Sequence, residues 1–163
     1  KPTICMVRGY CWGGGLGIAL GCDLRISVDD GRFAVPAAKR GLGYAYAGIK
    51  RLADLVGPSF AKEIFFTARQ FSAAEALQMG LVNRVVPAAE LETYVRNYAG
   101  TIGANAPMTV GSVKLIVGEL GKDPEKRDLG ACQASVDACF ASEDYVEGRT
   151  AFMEKRKPKF RGR

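Results

Sequence analysis

Histidine is absent from the 163 residues of this chain. Its absence excludes Ser-His and Cys-His catalytic machinery built from these residues, and it excludes a metal bound by imidazole. Any chemistry must therefore use backbone, carboxylate, hydroxyl or phenol groups. Long hydrophobic runs are also absent: none reaches the roughly 18 residues of a transmembrane helix, and there is no signal-peptide pattern. The sequence predicts a protein without a membrane partner.

Cysteine occurs in an odd number and without any C-x-x-C spacing. The five cysteines are Cys5, Cys11, Cys22, Cys132 and Cys139. This pattern argues against a disulfide framework and against a zinc site, and it indicates a reducing compartment. We therefore expect a cytoplasmic protein that binds no metal and packs its cysteines in the core. Cys132 and Cys139, seven residues apart, fit one buried helical face.

Acidic residues are missing from the last nine positions, "KRKPKFRGR", which carry six basic residues. The net charge of +6 therefore comes from this tail, and residues 1–154 are neutral overall. A nucleic-acid-binding protein more often spreads its positive charge over a face, so no nucleic-acid partner is predicted. The tail is either a solvated end or a contact to a phosphate-bearing ligand or an acidic neighbouring subunit.

Apolar and β-branched segments predict a β/α body over residues 1–87. Buried strands are expected at 3–9, 24–28, 32–36 and 81–86, with a short apolar helix between the first two. The chain begins with Lys1 and enters a buried strand almost at once. We therefore expect it to start within a domain and to lack an N-terminal part.

Helical spacing is typical of the remaining segments. Helices are predicted at 46–57, 58–68 and 72–80, and then throughout a helical region over residues 88–163, at 89–104, 107–120, 124–141 and 143–157. The helix at 72–80 has a capping box, because Ser72 can accept a hydrogen bond from the Glu75 N–H while the Glu75 side chain returns to Ser72.

The stretch "RGYCWGGGLGIALGCD" contains three consecutive glycines, Gly13, Gly14 and Gly15, ahead of the short helix. Glycines in regular structure cost roughly 0.5–1 kcal/mol each relative to alanine. A glycine-rich turn before a helix can bind phosphate, allow close backbone packing or present an N–H group to an oxyanion. The G-x-G-x-x-G and P-loop patterns are absent. The glycines alone leave all three uses open.

Three longer stretches carry a family resemblance: "KPTICMVRGYCWGGGLGIALGCDLRIS", "TARQFSAAEALQMGLVNRVVP" and "SEDYVEGRTAFMEKRKPKF". In order and spacing they resemble the crotonase superfamily, also called the enoyl-CoA hydratase/isomerase family, over its C-terminal two thirds. The resemblance implies an α/β fold of the ClpP/crotonase-like kind. Residues 1–87 would form the spiral of ββα turns, and residues 88–163 the helical C-terminal trimerisation region. It also implies an acyl-CoA thioester as ligand.

The resemblance assigns the glycine loop to thioester binding. In the family the middle glycine, here Gly14, donates its backbone N–H to the thioester oxygen, so that an oxyanion hole stabilises a thioester enolate. The positive end of the following helix strengthens this effect. The second donor belongs to a part of the family fold outside this chain. The substrate-binding positions implied near the loop are Trp12, Gly13, Gly15, Gly17, Pro36 and Ala37.

Two glutamates that the family's hydratases use are missing. One activates water and the other handles the α-carbon proton, and they align with Gly17 and with Ala37, which follows Pro36. A third acidic position, used by some isomerases and by the dehalogenases of the family, aligns with Ala45. Glycine and alanine cannot accept a proton, so the usual hydration mechanism has no visible base.

The segment "GLGYAYAG" places Tyr44 in the implied pocket and resembles the methylmalonyl-CoA decarboxylase branch of the family. Decarboxylation needs no base, because the electrons left by CO₂ enter the enolate and a phenol can orient the carboxylate or donate the proton. We therefore predict a lyase that decarboxylates a malonyl-type CoA, with Gly14 and Tyr44 as catalytic groups. We expect the Gly14 N–H to point into a cavity lined also by Ala37 and Tyr44, wider than a hydratase site.

Other interpretations remain open at this point. The protein could be an enoyl-CoA hydratase whose acids lie outside this chain, or a non-catalytic acyl-CoA-binding homologue. Tyr44 also fits a pocket-wall aromatic without a catalytic role.

The C-terminal "AFMEKRKPKF" carries a second ligand-facing signal by the same resemblance. In the family, the residues that match Phe152 and Lys155 approach the CoA moiety, often from a neighbouring subunit. Three residues apart on a helix, they would share one face. The alternative is a solvated basic helix end. The resemblance implies a homotrimer or a dimer of trimers, with CoA as part of the substrate and no resident cofactor.

Overall fold

The computed structural model describes residues 1–163, which divide into two compact units. The first unit comprises Thr3–Arg96, and the second comprises Asn97–Arg163 together with Lys1–Pro2. All six strands lie in the first unit. None of the helices combines the length and the hydropathy of a membrane-spanning segment.

Two three-stranded sheets organise the first unit. The first sheet is parallel and contains, in spatial order, β1 (Ile4–Val7), β3 (Leu24–Val28) and β6 (Arg84–Val86). The second contains β2 (Tyr10–Trp12), β4 (Arg32–Ala34) and β5 (Phe71–Ser72), with β2 parallel and β5 antiparallel to β4. From β1 to β4 the chain therefore alternates between the two sheets, which is the course of a spiral.

The prediction of a single strand over residues 3–9 is wrong. Gly9 has a φ of 65°, a left-handed conformation that turns the chain, and its carbonyl accepts a hydrogen bond from the Arg32 N–H. Residues on the two sides of Gly9 therefore enter different sheets as β1 and β2. The strand predicted at 24–28 is confirmed. The strands predicted at 32–36 and 81–86 are shorter than expected, and β5 was not predicted.

Helix α2 (Tyr46–Thr67) covers the two helices predicted at 46–57 and 58–68. Gly57, with φ 78° and ψ 162°, interrupts the helical backbone between them. Pro58 begins the second part, where its missing N–H costs nothing because the first turn of a helix has no partner for it. The predicted division at residues 57 and 58 is therefore confirmed: α2 consists of two helical segments that meet at a kink at Gly57.

Helix α3 (Ala73–Gln78) begins with the predicted capping box. The Glu75 N–H donates to Ser72 Oγ at 3.2 Å, and the Ser72 N–H donates to the Glu75 carboxylate at 2.8 Å. The helix ends two residues earlier than predicted, because Met79 is its C-terminal cap and Gly80 has a φ of 78°.

The core of the first unit takes side chains from both sheets and from the helices. Its largest buried side chains include Phe33, Phe71, Leu16, Leu52 and Ile64. The short helix α1 (Gly14–Leu20) is fixed to this core through Leu16 and Ala19. Its first two glycines stay exposed.

Arg25 on β3 is buried, with only 4% of its surface exposed. Its guanidinium donates to the carbonyl oxygens of Cys22 at 2.7 Å, Leu81 at 2.8 Å and Ala19 at 3.3 Å. Burial lowers the pKa of this guanidinium. The bonds tie β3 to the C-terminal end of α1, where free carbonyls carry the negative end of the helix dipole.

Four helices follow β6: α4 (Leu91–Gly103), α5 (Pro107–Leu120), α6 (Leu129–Phe140) and α7 (Glu143–Met153). The prediction for 107–120 is confirmed, and no strand occurs after residue 88. The helix predicted at 124–141 is wrong at its start. Pro124 opens a short 3-10 turn, and Asp128 then begins α6 by accepting the Ala131 N–H at 2.7 Å.

The basic tail is bonded to α7 and is more than a solvated end. Asp144, 3% exposed, accepts the N–H groups of Arg161 at 2.6 Å and Gly162 at 2.7 Å. Glu147 accepts two bonds from the Arg156 guanidinium, at 2.6 and 2.8 Å, and one from the Lys159 N–H at 2.8 Å. Carboxylates of α7 therefore hold the tail through its backbone as well as through its charges.

The expectation that all the cysteines pack in the core is confirmed for Cys11 and in part for Cys5, which packs against the core, and it is wrong for the other three. Cys11 is buried, whereas Cys5, Cys22, Cys132 and Cys139 are half-buried.

Candidate active site

Gly13 is the glycine of the loop whose backbone requires glycine. Its φ of 48° and ψ of −112° lie in a region that L side chains rarely adopt. This conformation turns the chain from β2 into α1. The Gly13 N–H donates to the Ala34 carbonyl of β4 at 2.9 Å, and the Gly13 carbonyl accepts the Gly17 N–H at 3.0 Å. Gly13 thus bonds the start of α1 to the second sheet.

Gly14 is the first residue of α1, and its N–H makes no hydrogen bond within the chain. A Cβ added at Gly14 or Gly15 would meet no atom within 4 Å. Their lack of side chains therefore leaves space beside the backbone that internal packing does not use. A free N–H at the positive end of a helix, beside open space, can donate to an oxygen that gains negative charge.

A small cavity of about 90 Å³ lies beside the loop. Its lining includes Gly13, Gly17, Tyr44 and Arg51, and otherwise the apolar side chains Leu16, Leu20, Val35, Leu52 and Phe65 together with Gly48. This lining includes Tyr44 but neither Gly14 nor Ala37, so the wide cavity expected around all three stays a prediction.

Tyr44 packs its ring against Phe65 in an edge-to-face contact, with the ring centroids 5.0 Å apart. The ring also lies 3.5 Å from the position of a Cβ added at Gly48. Tyr44 is half-buried, and its hydroxyl makes no hydrogen bond within the chain. The ring therefore forms part of the cavity wall, and the hydroxyl has no partner within the chain.

The profile of the family described as Enoyl-CoA hydratase/isomerase matches residues 1–163. This chain belongs to the enoyl-CoA hydratase/isomerase family. It is 38% identical over 157 residues to the short-chain-enoyl-CoA hydratase of Clostridium acetobutylicum, covering 96% of this chain and 60% of that relative. It is also 38% identical over 160 residues to the crotonyl-CoA hydratase of Syntrophomonas wolfei, covering 98% of this chain and 62% of that relative. The chain thus spans less than two thirds of either relative.

A solved structure supports the same assignment at the level of the fold. The crystal structure of an enoyl-CoA hydratase/carnithine racemase from Magnetospirillum magneticum superposes with a TM-score of 0.90 at 36% identity, covering 100% of this chain and 60% of that one. The predicted crotonase fold is therefore confirmed. The finer prediction of a methylmalonyl-CoA decarboxylase-like branch gains no support, because both named relatives are hydratases.

The two positions that align with the glutamates of the family's hydratases differ in their surroundings. Gly17 is exposed, and a Cβ added there would meet no atom within 4 Å. Ala37 is buried, with 5% of its surface exposed, and belongs to the core of the first unit. A carboxylate at Ala37 would therefore be desolvated and costly unless paired. None of the side chains that line the neighbouring cavity is acidic.

Arg51 is the cavity residue that the sequence pattern missed. It lies on α2 between Gly48 and Leu52, which line the same cavity, and its guanidinium makes no hydrogen bond or ion pair within the chain. The helical spacing of Gly48, Arg51 and Leu52 could have indicated a shared face. The charge by itself gives no such signal, because a basic residue on a helix is typical of an ordinary solvated surface.

The remaining positions near the loop have different exposures. Trp12, 37% exposed, lies edge-on to Tyr10 with the ring centroids 4.9 Å apart. Pro36 is half-buried and Gly15 is exposed. Their roles in substrate binding stay predictions from the family resemblance.

Phe152 and Lys155 belong to the second unit. Phe152 is 82% exposed near the end of α7 and borders an apolar cavity of about 650 Å³ together with Phe140 and Tyr145. The prediction that Phe152 and Lys155 share a helical face is wrong. Helix α7 ends at Met153, and Lys155 has a φ of 55°, which turns the chain away from the helix.

Proposed function

We propose that this chain carries the thioester-binding part of an acyl-CoA lyase and that the Gly14 N–H donates to the thioester oxygen. The observation that supports this most directly is that this N–H, at the first residue of α1, has no partner in the chain, while a Cβ added at Gly14 would meet no atom within 4 Å. One such donor contributes about 2.7–4 kcal/mol in comparable oxyanion holes. Membership of the enoyl-CoA hydratase/isomerase family supports an acyl-CoA substrate, with CoA as part of that substrate.

The reaction we propose is the addition of water to a short-chain enoyl-CoA. The names of the two relatives, short-chain-enoyl-CoA hydratase and crotonyl-CoA hydratase, support this choice. When water adds to the β-carbon, negative charge moves to the thioester oxygen, where the Gly14 N–H and the positive end of α1 would stabilise it. Gly17 and Ala37 supply no base. The group that activates water must therefore lie outside the glycine loop and its cavity.

Decarboxylation of a malonyl-type CoA is the second candidate, favoured by the side chains of the small cavity. Tyr44 and Arg51 are its polar side chains, and no carboxylate lines it. Loss of CO₂ forms the same thioester enolate without a base. The Arg51 guanidinium would hold the substrate carboxylate, and the Tyr44 hydroxyl would donate the proton that completes the reaction.

Two substrates distinguish these reactions. The protein is incubated with crotonyl-CoA and, separately, with methylmalonyl-CoA, while hydration of the double bond, release of CO₂ and binding are measured. Hydration alone supports the main proposal, and CO₂ release alone supports the second candidate. Binding of both thioesters without turnover would identify a non-catalytic acyl-CoA-binding protein. Absence of binding would contradict the thioester site altogether.

A backbone substitution tests the role of Gly14. Gly14→Pro removes the N–H at the first position of a helix, where proline fits the backbone, and no atom lies within 4 Å of the added Cβ. We expect kcat/KM to fall by about 10²–10³-fold. Gly14→Ala is the matched control, because it adds a Cβ and keeps the donor. Equal losses of kcat/KM in both variants would show that the added Cβ, and not the missing N–H, lowers the activity.

A phenol substitution separates the two reactions. Tyr44→Phe keeps the ring against Phe65 and removes the hydroxyl. If the protein decarboxylates, CO₂ release should fall by about 10²–10⁴-fold, the usual effect of losing a positioned acid. Hydration should change little. Tyr46→Phe, at a residue that is 77% exposed, is the control.

A further inference from the structure

The small cavity beside the glycine loop leads from the surface into the core of the first unit. Arg51, in its lining, is exposed, whereas Phe65 is half-buried. Three other lining residues, Leu16, Val35 and Leu52, are at most 3% exposed. The deep end of the cavity is therefore apolar and closed. An end of this kind suits a hydrocarbon group and not a charged one.

One face of α1 connects this cavity to the candidate oxyanion donor. Four lining residues have the spacing of one helical face: Gly13, Leu16, Gly17 and Leu20. Gly14 directly follows Gly13 and is the first residue of the same helix. A thioester oxygen that accepts the Gly14 N–H therefore lies at the N-terminal end of the helix whose side lines the cavity.

The volume of the cavity, about 90 Å³, limits the hydrocarbon that it can hold. An apolar protein cavity of about 150 Å³ is known to admit benzene, which has six carbons. In proportion, the cavity beside the glycine loop has room for about four carbons. A longer chain would need either a larger cavity or a different path.

Phe65 is the largest purely apolar side chain in the lining. Its ring packs edge-to-face against Tyr44, with the ring centroids 5.0 Å apart. Phe65 lies in the segment of α2 that follows the kink at Gly57, whereas Gly48 and Leu52 line the cavity from the segment before it. The two segments of α2 therefore enclose the cavity together. Because Phe65 is only half-buried, removing its ring should enlarge the cavity without leaving a void deep in the core.

We propose that this cavity binds the acyl group of the thioester and that Phe65 limits the acyl group to about four carbons. The inference rests on the proposed function, because the Gly14 N–H must hold the thioester oxygen. It applies to both candidate reactions, since each forms an enolate of the same thioester. The outer methylenes of a longer chain would meet the Phe65 ring and stay in water, where they add nothing to the affinity.

Binding of saturated acyl-CoA thioesters tests this limit without turnover, because they have neither a double bond to hydrate nor a carboxylate to lose. Isothermal titration calorimetry is run with acetyl-CoA, butyryl-CoA and octanoyl-CoA. Each methylene that becomes buried should tighten binding about fourfold. For the wild type we therefore expect butyryl-CoA to bind about 15-fold more tightly than acetyl-CoA. Octanoyl-CoA should bind no more tightly than butyryl-CoA.

Two variants change the cavity in opposite directions. Phe65→Ala removes the ring, so octanoyl-CoA should bind about tenfold more tightly than it binds to the wild type. Gly48→Ala adds a methyl group 3.5 Å from the Tyr44 ring, which is an ordinary contact distance. This variant should fold, because alanine is favoured over glycine within a helix. It should weaken the binding of butyryl-CoA about fourfold and leave that of acetyl-CoA unchanged.

Phe66→Ala is the matched control, because Phe66 is 76% exposed and lies outside the lining, so all three affinities should stay unchanged. Circular dichroism compares each variant with the wild type. If Phe65→Ala does not fold, the wild-type series and Gly48→Ala decide.

Two outcomes separate this inference from the proposed function. Octanoyl-CoA that binds the wild type more tightly than butyryl-CoA would overturn the limit and leave the thioester site intact. So would a folded Phe65→Ala variant with the same affinities as the wild type. Absence of binding by all three thioesters would instead contradict the thioester site, and the inference would fail with it.

Discussion

Arg25 shows how one buried side chain can position the helix that carries the candidate oxyanion donor. Its guanidinium donates to three backbone carbonyls, two of which, those of Ala19 and Cys22, lie at the C-terminal end of α1. Burying a charged group is favourable only when its hydrogen bonds are satisfied. The same bonds give the carbonyl groups partners that the helix itself cannot supply.

Replacing the Arg25 guanidinium should lower the stability of the fold. Arg25→Met keeps most of the stem and leaves buried carbonyls without donors, so we predict that the free energy of unfolding falls by about 1–3 kcal/mol. Urea denaturation followed by circular dichroism measures this change in the free energy of unfolding. Arg84→Met is the control, because Arg84 is exposed and donates only to the neighbouring Asn83 carbonyl. Equal losses in the two variants would contradict the role given to Arg25.

Glu147 should make the attachment of the tail depend on pH. Its hydrogen bonds with Arg156 and with the Lys159 N–H lower the pKa of this carboxyl from 4.5 to about 2. Because the folded-state pKa lies below the unfolded one, its stabilising effect is complete above about pH 5.5 and disappears as the pH falls from about 4.5 toward 2. We predict that the difference in Tm between wild type and Glu147→Gln is larger at pH 7 than at pH 3.

Glu90→Gln is the control for that measurement. Glu90 is exposed and its side chain has no partner within the chain. Its Tm difference from wild type should stay near zero at both pH values. A difference for Glu147→Gln that is the same at pH 7 and pH 3 would show that the carboxylate does not hold the tail.

At the scale of elements, the same substitution should have opposite effects in two helices. Gly57 interrupts α2 with a φ of 78°, and an added Cβ would meet no atom within 4 Å, so the cost of Gly57→Ala is conformational. We predict a loss of about 1–2 kcal/mol in the free energy of unfolding. Gly100→Ala, on the exposed face of α4, should raise it by about 0.4–1 kcal/mol. If urea denaturation gives changes of the same sign for Gly57→Ala and Gly100→Ala, the role given to Gly57 in the kink is contradicted.

At the scale of the whole molecule, the trimer that the family resemblance implies stays a prediction, and an exposed apolar face on α5 offers a surface for it. Val113, Val117 and Leu120 recur at helical spacing on α5 and are 55%, 60% and 62% exposed. Burial of such a face against another chain is favourable. We predict that sedimentation equilibrium gives a mass three times, or six times, that of the 17.5 kDa chain. Val117→Glu should shift the mass toward that of one chain.

Ser59→Glu provides the matched control for this substitution. Ser59 is an exposed residue of α2, and the added charge should leave the mass unchanged. A wild-type chain that sediments as a monomer at micromolar concentrations would contradict the trimer.

The sequence by itself determined the features that depend on residues close together in the chain. Helix α5 and strand β3 have the predicted bounds, and the Ser72–Glu75 cap forms as expected, because periodicity and capping involve neighbours a few residues apart. The glycine loop and two other stretches were enough to indicate the family. The same local patterns gave no indication that Gly9 would divide one predicted strand between two sheets.

Only the tertiary structure decided which distant residues meet. It separated the roles of two adjacent glycines: Gly13 bonds to a strand carbonyl, and Gly14 keeps a free N–H. It also brought Arg51 beside Tyr44, and it held the basic tail on carboxylates of α7. These contacts join segments that approach each other only after the sheets and helices have packed. The pattern of residues within one segment does not predict such a contact, because the partner residue lies in a distant segment.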